Sequence, residues 1–194
     1  MKPIILLDMD GVLADFFNGV FAQFGLIETI DHIKLEQPWP YDVAQWLVNV
    51  VPRLAPLNRI SITNMCASNP QFWCNLAIYP DARQFVTYLM DRRYDVIVTS
   101  APQDHKSHIQ KLEWLEHWFP ELIHTAFIDR KELMANSRHI LIDDHDENCR
   151  KFEDRGGYAI VYPQPWNSAY MFVKIRQLYV QHQLSILSRY ADRS

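Results

Sequence analysis

The chain has 194 residues, 48% hydrophobic and 22% charged. That is the balance of one soluble globular domain, and it excludes disorder, collagen and coiled coil. Net charge is −4 and no basic run exceeds Arg92-Arg93, so a nucleic-acid polymer, which needs many cationic contacts, is not an expected partner. Five glycines, none spaced as G-x-G-x-x-G or G-x-x-x-x-G-K, leave no dinucleotide fingerprint and no P-loop.

From the N-terminus, Pro3–Leu7 reads as a buried strand, too short in its apolar run for a signal-peptide core. Asp8-Met9-Asp10-Gly11-Val12 follows, then Phe16–Phe24, a helix that Asp15 is placed to cap. From Gly25 to Tyr79 the chain shows helical patterns, Asp42–Val50 among them, and aromatics without a convincing strand. One crossover helix needs far less chain. The surplus reads as a small helical cap, residues 25–79, inserted after the first strand of a core made from residues 1–24 and 80–194. Further strands are expected at Val96–Val98, Thr125–Ile128, His139–Ile142 and Tyr158–Tyr162. Helices alternate with them. Pro80–Arg92 carries Phe85, Tyr88 and Leu89 on one stripe, and His105–Phe119 carries Ile109, Leu112, Leu115 and Trp118. Asn148–Arg155 follows, and Ser168–Tyr190 places Met171, Phe172, Ile175, Leu178 and Tyr179 on one face. The alternation makes this an α/β fold, a three-layer α/β/α, Rossmann-like core around a mostly parallel five-stranded sheet. No stretch approaches 18 apolar residues, so no membrane is expected, and Cys66, Cys74 and Cys149 read as reduced thiols of a cytoplasmic protein.

In a parallel sheet, ligands bind beyond the carboxyl ends of the strands, and the acidic residues fall there. Asp8 and Asp10, two residues apart, suit a hard cation such as Mg²⁺, or a nucleophile paired with a general acid–base. Gly11 permits the turn away from the strand. Asp143-Asp144 closes the His139–Ile142 run. Alone, such a pair is most simply the N-cap of the following helix. Two acidic strand ends in one chain instead favour a shared metal, which relieves both repulsions. Thr99-Ser100 ends Val96–Val98, where a hydroxyl serves either a phosphoryl oxygen or an ordinary turn. Lys131 either neutralises a transferring phosphoryl group or is solvated surface.

Asp8-x-Asp10-Gly11, Thr99, Lys131 and Asp143-Asp144, in that order, resemble the haloacid dehalogenase-like superfamily of phosphatases. Asp8 to Phe16, Val98-Thr99-Ser100-Ala101-Pro102, Leu141-Ile142-Asp143-Asp144 and Gln164-Pro165-Trp166-Asn167 narrow the resemblance to the 5′(3′)-deoxyribonucleotidase family. The resemblance implies a Mg²⁺-dependent phosphomonoester hydrolase acting on nucleoside, by preference deoxyribonucleoside, monophosphates. Asp8 would attack the phosphate and become an aspartyl-phosphate, while Asp10 would protonate the leaving oxygen and then activate water. Mg²⁺ would be held by Asp8, the Asp10 carbonyl and the Asp143-Asp144 pair. Thr99, Ser100 and Lys131 would grip the phosphoryl oxygens, with Lys111 or Arg130 able to share the role of Lys131. Phe16 falls where the family sets an aromatic ring against the base, and Trp39 and Trp73 are candidate partners whose simpler reading is core packing. The resemblance leaves room for a homodimer.

Two other readings compete. The same chemistry could serve another small phosphomonoester, such as a sugar phosphate. A non-enzymatic phospho-receiver uses the same residue types, but it places the acidic pair on its first strand and has no room for the inserted segment. His105 and His108 lack a third zinc ligand, His145 merely neighbours Asp144, and Trp114 with Trp118 reads as a core stripe.

Overall fold

The computed structural model describes residues 2–26 and 41–191. Trp39, one of the aromatic candidates, lies outside the described residues. Five strands form one sheet: β1 (Ile4–Asp8), β2 (Asp95–Ser100), β3 (Thr125–Phe127), β4 (His139–Asp143) and β5 (Tyr158–Val161). Their order is β3-β2-β1-β4-β5, and every pairing is parallel. All five fall within two residues of the strands read from apolar runs.

The strands are apolar on both sides because both sheet faces are covered. Ile5 and Leu7 of β1 enter the larger core with Ile140, Ile142, Phe85 and Trp114. Leu6 points the other way, against Leu141 and Phe152. The chain builds β2 and β3 on one side of β1 and then β4 and β5 on the other, so the strand order reverses between β1 and β4. That crevice is where open α/β sheets bind ligands. Register sets its chemistry: Asp8 lies beside Thr99, and Leu7 beside Ile142, which brings Asp143 level with the end of β1.

Seven α-helices accompany the sheet among the described residues: α1 (Phe16–Gln23), α2 (Val43–Val50), α3 (Arg59–Ser68), α4 (Ala82–Asp91), α5 (His105–Trp118), α6 (Asp146–Asp154) and α7 (Arg176–Ala191). The first three lie between β1 and β2. Asp15, Asp42 and Asn58 cap them by accepting the backbone N–H three residues on. The chain leaves and re-enters the sheet through two segments zipped together: Asp15 N–H donates to the Ala77 carbonyl (2.8 Å) and Tyr79 N–H to the Leu13 carbonyl (3.0 Å).

α6 starts at Asp146 and its N-cap position is His145, so the simpler reading of the Asp143-Asp144 pair, a helix cap, does not hold. Two expectations from periodicity need correction. The inward face of α5 is Ser107, Gln110, Lys111, Trp114 and Leu115, while Ile109 is exposed. That half of the helix lies over polar groups at the strand ends, and its inward residues match them instead of an apolar core. The C-terminal stretch is a 3₁₀ turn (Tyr170–Ile175) followed by α7, which buries Val180, Leu184 and Ala191. Met171, Ile175 and Leu178 are exposed. The turn breaks the single helical phase that the apolar spacing assumed.

α5 begins with a capping box, in which Asp104 accepts Ser107 N–H (2.7 Å) and Ser107 Oγ accepts Asp104 N–H (2.9 Å). Asp104→Ala is expected to lower the midpoint of urea unfolding, because the Ser107 N–H loses its cap. An unchanged midpoint would show that this end needs no cap.

Candidate active site

At the end of β1 the Asp8 side chain is buried, and its Oδ1 accepts Met9 N–H at 2.8 Å. Lys131 opens the 3₁₀ turn Lys131–Met134 that precedes β4, and this places its ammonium between two strand ends. It reaches Asp8 Oδ1 at 2.7 Å and Asp143 Oδ2 at 2.6 Å. Asp143 Oδ1 also accepts His145 N–H (2.9 Å) and the Asn148 amide (3.1 Å). Asp144 Oδ2 accepts the Trp166 indole N–H at 2.7 Å. Oxygens of Asp8, Asp143 and Asp144 all lie within 4.8 Å of one another. Gly11 is required here twice over. Its φ is +79°, and a Cβ on it would stand 2.2 Å from Asp144 Oδ2.

Asp10 turns to a different cation. Its Oδ2 pairs with Lys111 Nζ and lies 3.4 Å from the Ser100 hydroxyl, which Lys111 also reaches at 2.8 Å. Lys111 has no exposed surface, and its ammonium sits 4.2 Å from the centroid of the Trp73 ring. The sequence offered Lys111 only as an understudy to Lys131, yet the two lysines hold separate carboxylates. Arg130, the other understudy, is exposed and pairs with Glu132 at 2.8 Å. Thr99 is fully buried and its hydroxyl lacks a partner among the described residues, as does Asp10 Oδ1. A buried hydroxyl without a partner is costly, and an oxyanion arriving at the strand end would satisfy it.

Four carboxylates meet two ammoniums in this corner, leaving two negative charges uncompensated. The titration behaviour follows. Burial pushes Asp8 up to about 7, with Asp143 and Asp10 adding repulsion and Lys131 opposing them. Burial and the charges of Asp8 and Asp143 raise Asp144 well above the carboxylate range. Burial alone would lower Lys131, but Asp143 and Asp8 overturn it and hold the ammonium charged. A divalent cation on the three acidic oxygens would cancel the excess charge, and an all-oxygen donor set suits a hard ion. The residues therefore fit a divalent metal.

Beside the acids a cavity of about 270 Å³ opens between the strand ends and the inserted helices. Phe16, Val20, Ile62, Thr63, Cys66 and Trp73 contribute to its wall. Phe16 stacks on Trp73 at 5.3 Å between centroids and 13° between planes. Trp73 is 2% exposed, with Phe16 and Lys111 both against its ring, so it braces the wall that Phe16 presents. Trp46 packs against Phe21 in the core. His105 and His108 join no metal group among the described residues, and His108 lies against the Phe127 ring. Tyr41 stacks on His145 at 3.8 Å.

The Gln164–Asn167 segment braces the site from behind. Gln164 donates its amide to the Gly11 carbonyl, and Asn167 donates to the carbonyls of Asp144 and Tyr162, each at 2.8 Å. Trp166 holds Asp144 and also stacks on Phe17 of α1 at 4.9 Å. Asn148 was missed in the sequence because a lone Asn within a helix carries no pattern.

Residues 2–185 match the family described as 5′ nucleotidase, deoxy (pyrimidine), cytosolic type C protein. The chain belongs to that family. It is 27% identical over 168 residues to a 5′(3′)-deoxyribonucleotidase of Bacillus subtilis, covering 86% of this chain and 88% of that one. It is 31% identical over 164 residues to a putative 5′(3′)-deoxyribonucleotidase of Staphylococcus aureus, covering 83% and 82%. Among solved structures, a hydrolase from Streptococcus pneumoniae superposes with a TM-score of 0.56 at 15% identity, over 93% of this chain and all of the other. A haloacid dehalogenase-like family hydrolase from Xanthomonas campestris gives 0.52 at 15% identity, over 99% and 94%. The fold is thus haloacid dehalogenase-like, and the family makes the chain a phosphatase. No described helix is long and apolar enough to cross a membrane.

Gly11→Ala is expected to weaken divalent-metal binding by about 10–100-fold, the range for displacing a group that orients a ligand. Titration calorimetry measures it, and unchanged affinity would show that Asp144 can move aside. A second expectation concerns pH. Unfolded carboxylates titrate near about 4, whereas folded Asp8 titrates at about 7. Its contribution to stability is full below the lower value and is lost as pH rises through the higher one. In EDTA, the Tm of the wild type relative to Asp8→Asn should therefore fall between about pH 4 and 7 and level off above, and added divalent metal should restore it. A flat difference across that range would contradict the charge imbalance.

Proposed function

We propose that this phosphatase hydrolyses nucleoside monophosphates, preferring deoxyribonucleotides, with Mg²⁺ and through an aspartyl-phosphate on Asp8. The reading is supported above all by the separation of Asp8 and Asp10. One carboxylate stands in the metal trio beside Lys131, the other is drawn to Lys111 and Ser100, and different surroundings suit different roles. It is supported also by the relatives described as deoxyribonucleotidases.

In this reading Asp8, the Asp10 carbonyl and the Asp143-Asp144 pair hold Mg²⁺, which when bound neutralises phosphate charge. An Asp8 oxygen attacks phosphorus and the ester bond breaks, with Asp10 in its acid form giving a proton to the leaving oxygen. Water then attacks the phosphoryl group, Asp10 takes its proton, and the bond to Asp8 breaks. Lys111 and the Ser100 hydroxyl hold the Asp10 carboxyl in place for both steps. Thr99, Ser100 and Lys131 grip the phosphoryl oxygens, so catalysis is mostly positioning and charge neutralisation.

Residues 25–79 act as a cap over a core of residues 1–24 and 80–194, and the cap selects the substrate. Phe16 takes the face of the base and Trp73 braces Phe16. The enzyme works in the cytoplasm, where its three free cysteines stay reduced.

Phosphate release from a panel of deoxyribonucleotides, ribonucleotides and sugar phosphates, with Mg²⁺ and with EDTA, tests the reading. Activity is expected on nucleotides and with Mg²⁺ only; equal rates on sugar phosphates would leave a phosphatase that ignores the base. Asp8→Asn should abolish turnover with the fold intact, and Asp10→Asn should slow it by about 10²–10⁴-fold. Full activity in Asp8→Asn would end the covalent mechanism.

A further inference from the structure

Arg176, the first residue of α7, lies outside the chemistry above yet sits in a tight cluster. It forks onto both oxygens of Asp81, with Nε 2.5 Å from Oδ2. Its guanidinium lies 4.7 Å from the Tyr79 ring centroid and 5.6 Å from that of Tyr162. The neighbouring Gln177 amide donates to the Asp81 carbonyl. Tyr79 and Asp81 flank Pro80, where the chain returns from the inserted helices to the sheet.

Tyr79 carries this contact onward. Its N–H bonds the Leu13 carbonyl of the outgoing segment, and Asp15, two residues further along that segment, donates its own N–H to the Ala77 carbonyl and carries a half-buried carboxyl. That same carboxyl caps α1 through Asn18 N–H (3.1 Å), and α1 opens with Phe16 on the cavity wall. An unbroken line of contacts therefore runs from the C-terminal helix, through both chain crossings, to the aromatic ring facing the substrate space. A half-buried ion pair such as this one contributes little net stability once desolvation is counted, and fixed geometry is its better-attested yield. The cluster also needs arginine in particular, because it uses a two-pronged fork and a flat cationic face together.

We propose that Arg176 is a positioning residue that sets the angle between cap and core, and so the placement of Phe16 against the base; the proposal rests on the nucleotidase reading above. Steady-state kinetics on dTMP and on acetyl phosphate, which has no base, test it together with hydrogen exchange at the Asp15 and Tyr79 amides. Arg176→Met should raise KM for dTMP about 10-fold with kcat held within about 3-fold. It should leave acetyl phosphate hydrolysis unchanged and speed exchange at both amides. Arg176→Lys should recover only part of the KM. Asp81→Asn, which keeps the shape of the acid, should reproduce the effect and serves if Arg176→Met does not fold. Unchanged KM for dTMP, equal losses on both substrates, or unchanged exchange at the two amides would each overturn the proposal. If the wild type hydrolyses acetyl phosphate but no nucleotide, the nucleotidase reading fails. The placement of Phe16 against a base is then overturned with it, whereas faster exchange would still uphold the clamp on the crossings.

Discussion

Carboxylates placed at the ends of neighbouring parallel strands repel one another, and burial sharpens that repulsion by removing the water that would screen it. Asp8, Asp10, Asp143 and Asp144 all crowd into one such corner here. Much of the surrounding structure can be read as the means of holding them there. Lys131 bridges Asp8 and Asp143, Lys111 takes Asp10, and Trp166 and Asn148 bind the outer oxygens of Asp144 and Asp143. Even so, burial first and then the repulsion of Asp143 and Asp10 raise Asp8 to about 7 against the pull of Lys131. A corner left this negative is poised for a divalent cation and, with it, for a phosphate group.

The braces come from distant parts of the chain, so they tie the two ends of the molecule to the site. Gln164 and Asn167 reach back to Gly11 and Asp144, and Trp166 also leans on Phe17 of α1. Thus the segment that steadies the metal-facing acids also touches the helix that lines the substrate cavity. Arg176 extends the same arrangement to the point where the chain passes between the sheet and the inserted helices. The acidic corner and the cavity wall are connected through contacts of the C-terminal quarter of the chain.

Legibility from sequence varied with the kind of signal. Strands buried on both faces are short apolar runs, and Ile4–Leu7, Val96–Val98 and His139–Ile142 stood out as such. Acids directly after those runs were equally plain. α5 was harder. Its spacing of Ile109, Leu112, Leu115 and Trp118 points to one inward stripe, but the helix turns Gln110, Lys111 and Trp114 inward. Gln110 binds Trp73 N–H and Lys111 binds Asp10, so polar partners on other elements outweigh the apolar pattern. The C-terminal stretch misled for another reason: a 3₁₀ turn shifts the helical phase before α7 begins, and apolar spacing cannot register a change of pitch.

By itself the sequence determined the parallel sheet, the acidic strand ends and the presence of helices between β1 and β2. Each rests on residues close together in the chain, whose period or order carries the signal. Only the tertiary structure decided which lysine serves which acid, that Trp73 braces Phe16, and that Gln164, Trp166 and Asn167 support the site. Those pairings join residues from 12 positions apart, as with Lys131 and Asp143, to 153, as with Gln164 and Gly11. No local pattern encodes them, because they arise only when separate strand ends and helices are packed into one buried, charged corner.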